Sequence, residues 1–460
     1  MTASMLSRPS SAIKRWAGRT LLHTSVARRA GLSSITRIPK KLTPPFQRIG
    51  LDPLPELAEL RRTDPVHRMA KVFGKNVWLV TGLDEARTVL NDTVNYSTDI
   101  RAILGTGGPD SIGGLGFTDP PEHTRLRKFL TPEFTKRRLQ RLQPRIEAIV
   151  AERLDAMQAA AGPDGVVDIV PEFAFPIPFL VICELLGLPV EDRDRFRRLG
   201  NARFDVSAGA ATVFGAMSES QKFLLEAVRA QRVNPGDGLI GAIIREHGDE
   251  VDDLELAGLA DGVFTGGYET SASMLALGTL TLLQNPEVFG RLREEPSTAA
   301  PVVEELLRYL TVVQLPFPRF AKHDLDLYGR PIKAGDAVMC ALTTANRAES
   351  FGADPDRIDP ARGDRSHLAF GYGFHRCVGS ELARMELAAA YPALARRFPE
   401  LSLAVDVAQL EYRDISFVYG VVSLPVRLGA PAAFAPEVGA GSLTGLVGTS
   451  EGEPEPEPAP

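Results

Sequence analysis

The stretch from Asp253 to about Gln284 constrains this chain most. It reads as one long helix, entered by acidic residues and closed by Asn285-Pro286. It is apolar over most of its surface, so it has to run through the core. One local fault interrupts it. Gly266 and Gly267 stand near the middle, each costing about 1 kcal/mol relative to alanine, and Glu269 and Thr270 follow directly. A weakened turn inside a core helix points to function. The Thr270 hydroxyl, four residues beyond Gly266, is placed to bond that carbonyl. Taken alone, the pair reads as polar groups satisfied inside a helix.

A second stretch is Phe370-Gly371-Tyr372-Gly373-Phe374-His375-Arg376-Cys377-Val378-Gly379, followed by helical spacing from Glu381 to Leu387. A cysteine just ahead of a helix N-terminus has a stabilised thiolate, and Arg376 adds a cation. With no other cysteine near in sequence, zinc and iron–sulfur sites lack their partners. A single thiolate can serve as the one protein ligand of a haem iron. Gly371 and Gly373 would let the backbone lie close to a flat macrocycle. A lone cysteine is ordinarily structural, but the F-G-x-G-x-H-x-C-x-G spacing is too restrictive for that reading.

This stretch resembles the haem-binding loop of the cytochrome P450 family, in its soluble bacterial, ferredoxin-dependent form. Further motifs in the family's order extend the resemblance over roughly residues 46–428. The resemblance implies a mainly α fold with a small β-rich subdomain, haem b, and oxygen insertion into an organic substrate. It makes Cys377 the axial ligand and His375 a propionate contact. Gly266-Gly267-Tyr268-Glu269-Thr270-Ser271 is similar to the family's [AG]-G-x-[DE]-T-[TS] signature, with serine at a position where threonine is commoner. There Gly266 lies against the cofactor, Thr270 would bond iron-bound dioxygen, and Glu269 would relay protons from solvent.

The same resemblance assigns further residues. In Asp119-Pro120-Pro121-Glu122-His123-Thr124-Arg125-Leu126-Arg127, His123 and Arg127 share a helix face and become propionate donors. Arg319 is a further propionate contact, and His367 is expected near one. Leu315 and Phe317, with Phe417 or Val418, are expected to face substrate. The E-x-x-R motif falls on Glu305 and Arg308, joined by Arg362. Buried together, these would serve folding and haem loading, not chemistry. Arg125, Lys128, Lys136, Arg137 and Arg138 are expected to form a basic surface over the thiolate side, suited to an acidic ferredoxin.

The remainder sets limits. The chain has 460 residues, 44% hydrophobic and 24% charged, ordinary for a globular protein with a large core. A net charge of -6 gives no reason to expect nucleic acid. Cys183, Cys340 and Cys377 are too few and scattered for a disulfide framework, which suits a reducing cytoplasm. No apolar run is long enough to span a bilayer. Residues 1–45 form a basic segment without Asp or Glu. It reads as a disordered leader, though its composition also suits a transit peptide or a helix lying on an anionic membrane surface. Residues 429–460 read as a disordered Pro- and Glu-rich tail.

Between the ends, Val77–Thr81 reads as a strand, and the glycine-dense 101–117 as a mobile loop over the pocket. Residues 191–232 read as two lid helices broken near Ser207–Ala210. No flavin or iron–sulfur domain is fused, so a ferredoxin and its reductase are the expected electron source. A mid-sized lipophilic substrate and dioxygen are the expected reactants. Two rivals remain open: a peroxide-driven peroxygenase, which the Glu269–Thr270 pair argues against, and a haem-binding sensor or carrier without catalysis.

Overall fold

The computed structural model describes residues 42–72, 74–99, 114–204, 210–413 and 416–430, without side chains between 200 and 218. Most of the basic leader, the glycine loop up to 113, the lid break at 205–209 and nearly all of the tail lie outside the described residues.

The long helix spans Asp253–Gln284, as its pattern predicts. Asp252 caps it: its carboxylate accepts from the Glu255 amide at 2.8 Å, while Glu255 accepts from the Asp252 amide at 3.3 Å. This capping box satisfies amides that the first turn leaves orphaned. Pro286 stops the other end by opening a new helix. Around the long helix pack Pro176–Leu186, ended by Gly187 in the left-handed conformation, and Ser380–Arg397, the helix that follows the cysteine loop. The latter comes very close at Gly278, where a Cβ would sit 1.9 Å from the Tyr391 hydroxyl. That hydroxyl donates to the Met274 carbonyl at 2.5 Å. Phe196, Phe223, Phe264 and Tyr268 stack between the long helix and the two lid helices, Val190–Phe204 and Ala210–Val233.

The β-rich part has its own core around Trp78, Val80, Val89 and Val338. Its five-stranded sheet runs in the order Val66–Val72, Lys75–Val80, Ala337–Cys340, Arg319–Ala321, Tyr96–Ser97. Lys75–Val80 and Ala337–Cys340 are parallel, and the other pairs are antiparallel. The sheet therefore ties residues near 78 to residues near 338, far apart in sequence, and brings Arg319 to the edge of the helical core. The expected hairpin forms between Leu325–Leu327 and Arg330–Ile332. Tyr328 and Gly329 turn it with φ of 52° and 76°, the pair of positive angles a two-residue turn of this kind needs.

Candidate active site

The cysteine loop is held by its own backbone. The Cys377 amide donates to the Phe370 carbonyl at 2.9 Å. Gly371 and Gly373 have φ of +71° and +66°. At Gly373 a Cβ would lie 2.6 Å from the Asn91 Cα, so glycine is required twice over. Burial pushes the Cys377 thiol up, opposed by the Gly379 amide and by the charges of Arg127, Arg384 and Arg376. Yet Cys377 keeps exposed surface, while Cys183 and Cys340 are buried, with thiols that burial pushes up to about 12. Both facts about Cys377 hold if its sulfur faces an interior gap.

Four donors converge beside this loop. His123 is 1% exposed, and neither ring nitrogen has a partner. Its ring lies 4.3 Å from that of His375. Burial and the charge of Arg127 lower the His123 pKa to about 4; burial, then Arg319 and His123, lower that of His375 to about 3. Arg319 is buried and donates to the Phe317 carbonyl at 2.9 Å, and Arg127 donates to the Arg376 carbonyl at 2.7 Å. Asp119 is the nearby acid, already engaged by Ser97, at 2.5 Å, and by the Thr98 amide. An orphaned buried imidazole among cations is an unfilled anion site. The open thiol, this donor corner and the glycines fit a flat, iron-bearing dicarboxylate such as haem.

On the long helix the Thr270 hydroxyl donates to the Gly266 carbonyl at 2.6 Å, as its spacing predicts. The helix nonetheless runs on unbroken through that turn. Gly262, Gly266 and Thr270 recur every four residues and so share one face. A Cβ at Gly262 or Gly266 would meet nothing within 4 Å, so that face borders open space. Glu269 points elsewhere. It forms an ion pair with Arg413 and lines a cleft of ≈ 780 Å³ whose wall mixes charged residues such as Glu172, Arg193 and Arg197 with apolar ones such as Phe175 and Phe179. Burial raises the Glu269 pKa and Arg413 opposes the rise.

The expected charge triad forms. Arg308 Nη2 lies 2.8 Å from Glu305, Arg362 Nε 3.2 Å from it, and the Glu305 and Arg308 side chains are 4% and 0% exposed. Arg308 also donates to the Asn346 and Pro355 carbonyls. Two expectations change. His367 is engaged within the protein: its Nε2 is 3.0 Å from Glu304 and its Nδ1 accepts from the Ala369 amide. Leu315 packs with Phe46, Leu57 and Leu79, because its side of the strand entry faces the sheet core rather than the gap. Val418 bridges Val313 through its backbone and packs partly buried against the helical core, while Phe417 is 61% exposed and stands edge-on to Phe46. Phe317 is 43% exposed and packs edge-on against Phe117, ring centroids 4.4 Å apart.

Sequence reading missed Arg413, which reaches Glu269 across 144 positions. It also missed Glu386, buried on the cysteine helix and bonded to Ser271, with one oxygen unpartnered. Burial pushes that acid up to about 8. No local pattern marks either residue. Gly262 was legible, as a third small residue in step with Gly266 and Thr270.

Comparison with known proteins agrees with this geometry. A family model described as cytochrome P450 matches residues 56–204 and 226–407. Cytochrome P450 165B3 of Amycolatopsis orientalis is 39% identical over 389 residues, covering 83% of this chain and 97% of that protein. The 6-deoxyerythronolide B hydroxylase of Saccharopolyspora erythraea is 38% identical over 388 residues, covering 81% and 95%. Among solved structures, OxyE, a cytochrome P450 involved in teicoplanin biosynthesis, superposes with a TM-score of 0.77 at 38% identity over 84% of this chain and 99% of its own.

Proposed function

The chain belongs to the cytochrome P450 family and is therefore a haem b monooxygenase; on that premise we propose that it hydroxylates a mid-sized lipophilic molecule with electrons from a ferredoxin and its reductase. In this reading Cys377 would supply the thiolate that holds the iron. His123, Arg127, Arg319 and His375 hold the propionates, and Gly266 keeps the helix backbone close to the ring. Residues 46–428 make up the haem domain. The single observation that carries the reading is the pairing of an open Cys377 thiol with a buried, partnerless His123.

Bound haem supplies dioxygen activation, in which two electrons and two protons are consumed, one oxygen enters the substrate and the other leaves as water. The residues of this chain manage the protons. Glu269 takes them from the cleft side, where its raised pKa lets it hold a proton nearer neutral pH than a free carboxyl does. Thr270 faces the gap; its own hydrogen is committed to Gly266, which leaves its lone pairs to accept from a donor there. Phe317 and Phe417 offer apolar surface for a lipophilic substrate, backed edge-on by Phe117 and Phe46. Glu305, Arg308 and Arg362 hold the fold beneath the ring.

Lys128, Lys136 and Arg137 are exposed and form no ion pair among the described residues, whereas Arg125 and Arg138 are tied to glutamates. The former three are the cations free to meet an acidic ferredoxin, so the rate of reduction should fall with salt. Three unpaired cysteines suit a cytoplasmic setting, and no helix among the described residues is long and apolar enough to cross a membrane.

The test is turnover with ferredoxin, reductase and NAD(P)H under isotope-labelled dioxygen, on substrates first found by a haem spin-state shift. One labelled oxygen in the product supports the proposal. Product formed with peroxide alone would assign a peroxygenase instead, and reducible haem without product across a broad screen a sensor or carrier.

A further inference from the structure

Consecutive residues of a helix turn by about 100° around its axis, so Tyr268 stands about 160° from Thr270, near the opposite side of the long helix. Tyr268 and Glu269 line the ≈ 780 Å³ cleft, and Thr270, Phe317 and Phe417 do not. That volume lies within the range of about 300–1,000 Å³ usual for small-molecule sites. Residues distant in sequence build the walls: Arg153 on helix Gln143–Ala160, Phe175 and Phe179 at helix Pro176–Leu186, the lid helix Val190–Phe204, and Arg413. The apolar part of the wall is aromatic. Tyr268 stands edge-on to Phe175, ring centroids 5.5 Å apart, and its ring lies 5.9 Å from that of Phe179. Arg413 holds its guanidinium 5.4 Å over the Phe175 ring. A cation and an aromatic surface therefore lie within the span of one small molecule.

Most of the charges in the wall are already spent. Arg193 is held by Glu184 at 2.9 Å, and Arg197 by Asp194 at 3.1 Å. Arg413 gives Nη1 to Glu269, and its other side-chain donors meet no acceptor among the described residues. Arg153 forms no ion pair among the described residues, and its Nε is buried without a hydrogen-bond partner. A buried donor without an acceptor is a deficit that an oxygen of a ligand can fill. What remains is two cations with open donors, Arg153 and Arg413, and one lining acid outside any ion pair among the described residues, Glu172.

We propose that this cleft is a second ligand site, separate from the substrate side at Thr270, and that it takes a small aryl carboxylate. The aromatic body lies against Phe175, Phe179 and Tyr268, whose edges and faces suit a flat ring. The carboxylate is drawn to Arg413 and Arg153, a charge-assisted pairing of the kind guanidinium groups favour. Glu172 repels the same charge and so limits the affinity.

Equilibrium dialysis of the holoenzyme against naphthoate tests it, with the iron held by saturating phenylimidazole so that the haem side is closed. Naphthoate should bind without disturbing the azole spectrum. Naphthamide, which keeps the rings and drops the charge, should bind severalfold more weakly. Arg153→Gln should weaken naphthoate binding severalfold and Glu172→Gln should strengthen it, each with naphthamide unchanged. Neither substitution breaks an ion pair, so both variants should fold. Naphthoate that displaces the azole is bound at the haem and overturns the proposal. Naphthamide binding as tightly as naphthoate overturns it too, as do the two variants shifting affinity in the same direction or not at all. A protein that loads no haem would overturn the haem reading alone, because the dialysis and both variants read the cleft without it.

Discussion

The two sides of the site treat buried acids in opposite ways. On the cysteine side, burial would push Glu304 up, but His367 and Arg384 outweigh it and bring its pKa down to about 2. Glu305 beside it is enclosed by Arg308 and Arg362. Where the long helix packs against the cysteine helix, Glu386 has Ser271, keeps an unpartnered oxygen, and is pushed up to about 8. Glu269 has a single cation, Arg413, and is also raised. A carboxylate ringed by donors is fixed in one charge state and can only brace. An acid left short of partners keeps its proton exchangeable near neutral pH. The difference separates carboxylates held as fixed charges from acids whose proton stays exchangeable.

Mutations of the bracing side should carry the largest effects. Arg308→Ala strands Glu305 as a buried charge, at a cost of about 3–5 kcal/mol. Chemical denaturation should show that loss together with poor haem incorporation, and a loss under about 1 kcal/mol would mean the triad behaves like a surface pair.

The pH dependence of stability should have opposite signs on the two sides. For Glu304 the folded pKa lies below the unfolded value, so its stabilisation is present above about pH 4.5 and lost as pH falls toward about 2. For Glu386 the folded pKa lies above, so its contribution is complete below about pH 4.5 and lost as pH rises through about 8. Glu386→Gln should therefore flatten the decline in denaturation midpoint between about pH 5 and about pH 8. Glu304→Gln should leave that decline in place and remove acid sensitivity instead. Identical profiles for the two variants would erase the contrast.

The long-helix side should yield changes in function at little cost in stability. Thr270→Ala removes one hydrogen bond, about 1 kcal/mol, and should still bind haem. Product formed per electron consumed should drop severalfold, with the missing electrons found as peroxide. Unchanged coupling would remove Thr270 from proton handling. The smallest effect on stability belongs to Gly266→Ala. The added methyl meets no neighbour, so helix propensity should raise stability by up to about 1 kcal/mol. It also projects toward the gap, so carbon monoxide binding to reduced haem should weaken.

Local patterns made much of this legible. The long helix, its caps, the Thr270–Gly266 bond and the cysteine loop follow from spacing over a few residues. The triad followed from a family resemblance rather than from the chain's own periodicity. What sequence could not supply was contact across distance. Arg413 approaches Glu269 only because the C-terminal segment folds back over the lid side, and nothing near position 413 announces it. His367 sat next to the motif and so read as a cofactor contact, yet Glu304, 63 positions earlier, claims it. Leu315 failed for a similar reason: the resemblance put it near substrate, yet it packs with Phe46, Leu57 and Leu79, distant in sequence.

The most direct measurement is the absorption spectrum of the reduced carbonyl complex, in wild type and in Cys377→Ser. If the Cys377 sulfur anion binds iron, the wild type carries the thiolate-type band and the serine variant loses it while the fold persists by circular dichroism. A serine variant that kept the band would place the ligand elsewhere and contradict the account at its centre.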